Sequence, residues 1–475
     1  MEAFLEHFFR RLQGVVWDWP SWAILLGAGL ILSIQLNWFQ VSKFAYYMDV
    51  TLIDMFRKEE NKKMPKEGKG DITPFQAVST ALSSTMGVGT IAGTVTAIIV
   101  GGPGAVFWMW VVGFFGITTK FCETVLAVHF RTVNEKGEIL SGPFAYMEKG
   151  LGQKWVAVIF SIFGAMAAFG IGNMVQANSV AGAMYATFGF SRLWVGIVAA
   201  VIIAAILIGG IKSIGRAVGV IIPFMAIAIL MLSFLIIGQY LTAVPRAFYD
   251  IVTNAFSISG AIGGVAGAGI MYAMRLGLQR GVFSNEAGLG SAPIGYAAAQ
   301  TDHPVKQGFW AAFEVFLDTH VVCTVVALVV LVTVPMAIIN PGSGDWTGSG
   351  LLIYAYNQSF LGEFGGQAMS VILALFGFST VLGWAFYGEK CVEYLVGSTK
   401  MNLFYRMLAP LALVFGATGG TDLVWAMADT MNAFMALPNI VTVLLLSKVV
   451  KKVYANYFNK NESYEPFDQA AFDQF

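Results

Sequence analysis

The chain reads as an all-α integral membrane protein of eleven transmembrane helices, one N-terminal helix followed by two sets of five with inverted topology. Three observations carry that reading. Of 475 residues, 57% are hydrophobic and 12% charged, where soluble domains hold roughly 45–50% apolar and about 25% charged residues. Apolar runs long enough to span a bilayer, about 20 residues each, recur along the whole length. Lys and Arg collect in alternate connections, as the positive-inside rule requires of a multi-pass chain. The 28 basic and 28 acidic residues cancel, which leaves no electrostatic case for nucleic acid. Cys122, Cys323 and Cys391 are widely spaced in or beside apolar runs, so they read as buried packing residues, not as a disulfide framework or a metal motif.

The first span, near 20–40, is too long and lacks the small-residue cleavage site of a signal peptide. It is the extra N-terminal helix of a segment 1–56, and a basic loop follows at 57–71. A first set of five, within 72–242, has spans near 72–100, 104–129, 154–181, 193–211 and 217–242. A loop at 243–261 leads to the second set within 262–452, with spans near 262–300, 308–338, 366–388, 402–418 and 421–448 and a long loop at 339–365. Residues 453–475 form a tail.

Orientation follows from charge. The 57–71 loop carries Arg57, Lys58, Lys62, Lys63, Lys66 and Lys69, and alternate connections carry Arg131 with Lys136, then Lys212 with Arg216, Lys306, Lys390 with Lys400, and Lys448 with Lys451. These are assigned to the cytoplasm. The Gly-rich connection after residue 338 has no Lys or Arg up to residue 367 and is assigned outside. The N-terminus is then outside and the C-terminus cytoplasmic; Arg10 and Arg11 run against this, and five loops outweigh them.

Because five is odd, the second set enters from the face opposite to the first. In each set the first helix is flawed: "STMGVGTIAG" (84–93) in one, "QRGVFSNEAGLGS" (279–291) in the other. Glycines at matching positions of two inverted halves point to a carrier's binding site, since non-helical backbone at membrane depth is stable only when it lines a cavity or is buried in protein. Freed N–H groups at a half-helix start favour a carboxylate; freed carbonyls and hydroxyls suit Na⁺ or an ammonium. Taken alone, either stretch also fits close helix packing through small residues.

The runs "GGPGAVFWMWV" (101–111), "RGVFSNEAGLGSAPI" (280–294) and "LGWAFYGEKCVEYL" (382–395) resemble the signature blocks of the alanine or glycine:cation symporter family. The resemblance covers nearly the whole chain. It implies the leucine-transporter fold with an extra N-terminal helix, and sodium-coupled symport of a small neutral amino acid, alanine or glycine, across a bacterial or archaeal plasma membrane by alternating access. It implies no cofactor beyond Na⁺ as coupling ion, a lipid bilayer as surroundings, and transport by a monomer. By the same resemblance Gly87, Val88 and Gly89 offer N–H groups to the substrate carboxylate, flanked by Thr85 and Thr90. Phe283 is an apolar gate, carbonyls of Phe283, Ser284 and Glu286 face the amine, and Phe283 with Trp384 shrink the pocket. The sodium site is assigned to the carbonyls of Ser83, Met86 and Phe376 with the hydroxyls of Ser379 and Thr380. Where the family commonly reads "GTGN", this chain reads "GVGT" at 87–90, which removes one side-chain hydrogen bond to substrate.

Other polar residues inside the spans have two readings. Gln176 and Asn173, near one helix face at i, i+3, either contact substrate or, with Asn178, bridge helices. Glu314 and Asp318, one turn apart, are expected to form structural ion pairs with Arg275 and Arg280, because a buried carboxylate is costly unless paired. The sharper alternative is proton coupling, with Glu286 inside the second flaw as its carrier; a carrier of the same fold moving glutamine is a further alternative. The chain holds no GxSxG, HExxH or CxxC motif and its four histidines are isolated, so an enzyme or a metal centre is not expected.

Overall fold

The structure, a computed structural model, describes residues 2–17, 19–57, 68–257, 268–339, 346–459 and 464–467. Two helices, α1 (Glu2–Val16) and α2 (Trp19–Gln35), precede the core. The first core helix starts at a capping box: Thr73 Oγ1 accepts the Gln76 N–H, Gln76 Oε1 accepts the Thr73 N–H, and Pro74 fills the first helical position. It runs as α3 (Pro74–Thr85), stops at Met86 and Gly87, and resumes as α4 (Val88–Gly101). Then follow α5 (Gly104–His129), α6 (Lys154–Phe188, with a π-helical segment at Ala168–Met174), α7 (Arg192–Leu207) and α8 (Gly210–Gln239).

Next come α9 (Val244–Ala255), in the connection after α8, then α10 (Ala268–Asn285) and α11 (Ala292–Ala297), which are separated by a non-helical stretch where Glu286 has φ 57°. It continues through α12 (Pro304–Thr333), α13 (Gly348–Asn357), α14 (Glu363–Val396), α15 (Thr399–Thr418) and α16 (Thr421–Leu445), and ends in α17 (Ser447–Phe458).

Burial sorts these helices. The most apolar window of the α3–α4 pair, of α5 and of α14 is 83% buried, whereas that of α8 is 33% buried. The first three therefore surround the centre, and α8 turns Val220, Phe224, Ile227 and Met231 outward, as a lipid-facing helix does. All-helical spans are what a bilayer permits, because every backbone group must be satisfied within its own segment.

The charged connections meet at one end. Arg131 donates to Ala299 O and Thr301 O, Lys390 lies between Glu393 and Glu138, and Arg406 pairs with Glu389. The start of the first broken helix and the end of the second are tied there: Asp71 N–H donates to Ala298 O at 2.8 Å and Gln300 N–H to Ile72 O at 2.8 Å, a short parallel bridge between Ile72 and Ala299. The tail returns to this end, with Tyr464 OH 2.8 Å from His129 Nδ1.

Three features differ from the sequence reading. Eight helices among the described residues are long and apolar enough to cross a membrane, nine if the bent α1–α2 pair is one span. Of the eleven expected spans, that near 193–211 is α7, 16 residues long, and that near 262–300 is divided into α10 and α11 by its own flaw, with 262–267 outside the described residues. The flaws are also shorter than their sequences suggest. Residues 84–85 and 88–93 are helical, so the first break is two residues long, and the second starts at Glu286, leaving Phe283 and Ser284 inside α10.

Candidate functional site

The two breaks lie against each other. Ser284 Oγ is 3.0 Å from Thr90 Oγ1, Ser84 Oγ is 3.4 Å from Glu286 Oε2, and a Cβ added at Gly89 would meet the Phe283 ring at 2.5 Å. Only glycine at position 89 lets the Phe283 ring approach the start of α4 this closely.

Thr380 on α14 grips the first break. Its Oγ1 donates toward Ser83 O at 2.8 Å and Phe376 O at 2.9 Å, and Ser379 Oγ reaches the same Phe376 O at 2.9 Å. Of the five oxygens assigned to sodium, Thr380 Oγ1 thus meets two, Ser83 O and Phe376 O, while Ser379 Oγ bonds back within its own helix. Met86 closes α3, its N–H on Leu82 O. A Cβ at Gly87 would lie 2.3 Å from Thr380 Oγ1, so glycine is what admits the hydroxyl.

The N–H groups at the start of α4 are divided. Val88 N–H is taken by Gln176 Oε1 at 3.1 Å, and Gly87 N–H by Thr85 O at 2.7 Å. Gly89 and Thr90 remain, in a first turn where no intrahelical acceptor exists. Gln176 therefore braces the break through its oxygen while its amide nitrogen donates to Ile171 O. Asn173 and Asn178 bridge helices instead, donating to Ala409 O and to Gly416 O and Gly419 O.

The second break departs from its expected role. Glu286 O accepts the Leu289 N–H in a tight turn, which weakens the case for that carbonyl on an amine. Its carboxylate receives Trp384 Nε1–H at 2.8 Å and Ser291 Oγ at 2.6 Å. Trp384 thus sets the second break while its side chain packs on Gly172. The Ser284 hydroxyl points to Asp318 at 2.6 Å.

The ion pairs are not those expected. Glu314 pairs with Lys120 of α5, not with Arg275 or Arg280; Arg280 pairs with Asp429 at 3.1 Å, and among the described residues no ion pair reaches Asp318. The geometric reason is that α5 packs between the second break and α12. There Lys120 Nζ also donates to Asn285 O at 2.7 Å, the last residue before the break. Thr85 Oγ1 and Tyr296 OH complete the Glu314 carboxylate, at 2.8 and 2.7 Å. Sequence reasoning passed over Lys120, although a lone lysine inside an apolar run, "ITTKFCETV", is the signal that marks a functional position in a membrane.

On the far side, Phe283 stacks on Trp425 with centroids 5.1 Å apart, and Arg280 lies over Trp425 at 4.8 Å. Beyond them is a cavity of about 390 Å³ lined by Ala92, Asn178, Arg280, Trp346 and Trp425 among others. The breaks do not line it, so the stacked pair divides the cavity from the breaks.

Residues 1–470 match the sodium:alanine symporter family. The chain belongs to that family. It is 44% identical over 461 residues to the sodium/alanine symporter AgcS of Methanococcus maripaludis, covering 96% of this chain and 98% of that one. It is 33% identical to the probable sodium/glutamine symporter GlnT of Bacillus subtilis, over 98% and 93% of the two chains. In fold it is similar to MhsT crystallised with L-phenylalanine, with a TM-score of 0.61, 13% identity, and coverage of 86% and 98%. The leucine-transporter type of fold and the place in a multi-pass membrane family are thereby shown, and the protein is a sodium-coupled amino-acid symporter, not an enzyme.

Proposed function

We propose that this symporter carries sodium together with a small neutral amino acid, alanine or glycine, around one site between the two breaks. The eleven helices form a 5+5 inverted repeat (72–242 and 262–452) behind the extra N-terminal helix, with the N-terminus outside, the basic end cytoplasmic and one chain sufficient. The observation that carries the reading is the Thr380 hydroxyl, which joins Ser83 O on one broken helix to Phe376 O on α14. Three carbonyls and two hydroxyls, from Ser83, Met86, Phe376, Ser379 and Thr380, form a neutral oxygen set suited to a monovalent ion, whereas Ca²⁺ takes 6–8 oxygens with carboxylates among them.

The substrate carboxylate sits on the N–H groups of Gly89 and Thr90, at the positive end of α4, with Gln176 holding Val88 in place. Phe283 against Gly89 and Trp384 against Gly172 leave room for a short side chain. Sodium draws the first break onto α14 and so shapes the pocket; by linkage the substrate strengthens sodium binding by the same factor. Alternating access then exposes the site by parting the Phe283–Trp425 stack on one side and the Ile72–Ala299 bridge on the other.

Uptake of labelled glycine, L-alanine, D-alanine and glutamine into proteoliposomes, with sodium, lithium or proton gradients imposed in turn, tests this. Sodium-driven uptake of alanine and glycine is expected. Uptake driven by protons without sodium, or of glutamine alone, would replace this reading with that of a proton-coupled or glutamine carrier of the same fold.

A further inference from the structure

The transport cycle proposed above makes no use of the tail beyond α17, yet residues 464–467 of that tail are seated on the charged end of the protein. Tyr464 OH lies 2.8 Å from His129 Nδ1 at the end of α5, and the Tyr464 ring is 4.6 Å from the ring of His303 at the start of α12. Phe467 packs on Phe130 with centroids 4.7 Å apart, and its N–H donates to His129 O at 3.4 Å. His303 is also met by α17, through the Tyr457 ring at 5.1 Å and Asn456 Oδ1 at 3.2 Å. Two aromatic anchors thus fix the segment against α5 and α12.

What lies beneath gives this docking its meaning. The backbone that opens the first broken helix and the backbone that leaves the second touch along a seam, residues 68–72 against 298–302. Besides the bridge at Ile72 and Ala299, a Cβ added at Gly70 would fall 2.4 Å from Ala299 C, and one at Gly68 would fall 2.3 Å from Thr301 C. At one end of this seam is a cavity of about 180 Å³. Gly68 and Lys69 line it from the first broken helix, Thr301 and His303 from the connection after the second, and Tyr464 and Pro466 from the tail.

We propose that the tail is a latch within the chain: residues 464–467 bind the seam in its closed form and hold this end of the symporter shut. The proposal rests on the reading that this end opens by parting the Ile72–Ala299 bridge. A bound segment shifts a conformational equilibrium only by the difference between its contacts in the two states. Parting the seam draws Gly68 and Lys69 away from the cavity that Tyr464 and Pro466 help to close, so the tail favours the closed state. Because α17 tethers it, the tail acts at a high effective concentration, and a few contacts are enough.

The test reads the seam from a position outside the cavity. Ile72 is 2% exposed, faces Gly215 of α8 and does not line the cavity, so a thiol there reports opening and not the mere removal of a cover. Ile72→Cys is labelled in inside-out vesicles with a membrane-impermeant maleimide, and the unaltered chain, whose three cysteines are buried, gives the background. Adding Tyr464→Ala is expected to speed labelling roughly two- to tenfold, the worth of one aromatic pair. Phe467→Ala should act likewise from the other anchor, and Tyr464→Phe, which keeps the ring, should fall between. Thermal unfolding should stay the same in all of them. Labelling that neither alanine substitution changes would overturn the latch, as would faster labelling matched by a general loss of thermal stability. Sodium-driven alanine uptake by the unaltered chain is a separate measurement: its absence would remove the proposed function, whereas unchanged labelling removes the latch alone.

Discussion

Lys120 Nζ lies 2.7 Å from Glu314 Oε1, with both side chains wholly buried between α5 and α12. Because Lys120 also holds Asn285 O and Glu314 also holds Thr85 and Tyr296, the pair joins both broken helices. Lys120→Met strands a buried carboxylate and is expected to destabilise the chain by about 3–5 kcal/mol. Lys120→Met with Glu314→Gln removes both charges and should restore most of it. Thermal unfolding of the three proteins in detergent compares them directly.

Thr380→Ala removes the hydroxyl shared by Ser83 O and Phe376 O. The factor by which sodium raises alanine affinity and the factor by which alanine raises sodium affinity should shrink together, from the roughly 5–150-fold range usual for such coupling, while Thr380→Ser retains them. Alanine binding in Thr380→Ala that kept its full sodium dependence would remove this ion site.

Gly89→Ala places a Cβ 2.5 Å from Phe283 Cδ1 and 3.3 Å from Phe283 O. The ring must shift toward Trp425, which disturbs the stacked pair. Alanine uptake is expected to fall at least tenfold, about 1.4 kcal/mol of lost transition or binding free energy. Gly238→Ala on α8, where nothing lies within 4 Å of the new Cβ, should leave uptake unchanged and serves as the control.

Trp384→Phe keeps an aromatic, smaller ring and deletes the indole N–H on Glu286 Oε1. Leaving a buried carboxylate short of a donor costs about 1–3 kcal/mol or more, and it loosens the second break. Lower thermal stability is expected, together with weaker alanine binding; combining it with Glu286→Gln should recover part of the stability. If Glu286→Gln alone changes neither the rate of uptake nor its pH dependence, proton coupling through this residue is excluded.

His303 gives a pH prediction at the charged end. Its Nδ1 accepts the Val305 N–H that starts α12 and its Nε2 faces Asn456 Oδ1 on α17. Burial holds its pKa below the usual histidine value. The stabilisation is therefore complete above about pH 6.5 and is lost as pH falls below it, because the unfolded chain takes up the proton more readily. Protease cleavage near α17 should accelerate on acidification, and His303→Asn, which still caps the helix, should flatten that dependence.

Much of this architecture was legible because membranes impose strong patterns. Span length, charged connections and paired glycine flaws located most helices, and the family resemblance singled out Thr380, whose hydroxyl reaches Ser83 O beside the first break, whereas Ser379 bonds back within its own helix. The exact flaw was not legible. "STMGVGTIAG" loses helicity at Met86 and Gly87 alone, because only Gly87 must let the Thr380 hydroxyl approach, a contact with a helix distant in sequence. The partners of Glu314 and Asp318 were invisible for another reason: Lys120 on α5 and Thr90 on α4 lie far away in sequence, and periodicity says nothing about which helix packs opposite.

The Ile72–Ala299 bridge has a mechanical consequence. Asp71 and Ile72 both donate to Ala298 O, and Arg131 ties down the carbonyls of Ala299 and Thr301 beside them. α3 and α11 are thus two leaves hinged to a common bar. Neither can swing away alone without stripping buried peptide groups of their partners. A passage toward that end is expected to open by parting the two leaves at this bridge, with Arg131 staying on the Ala299 side.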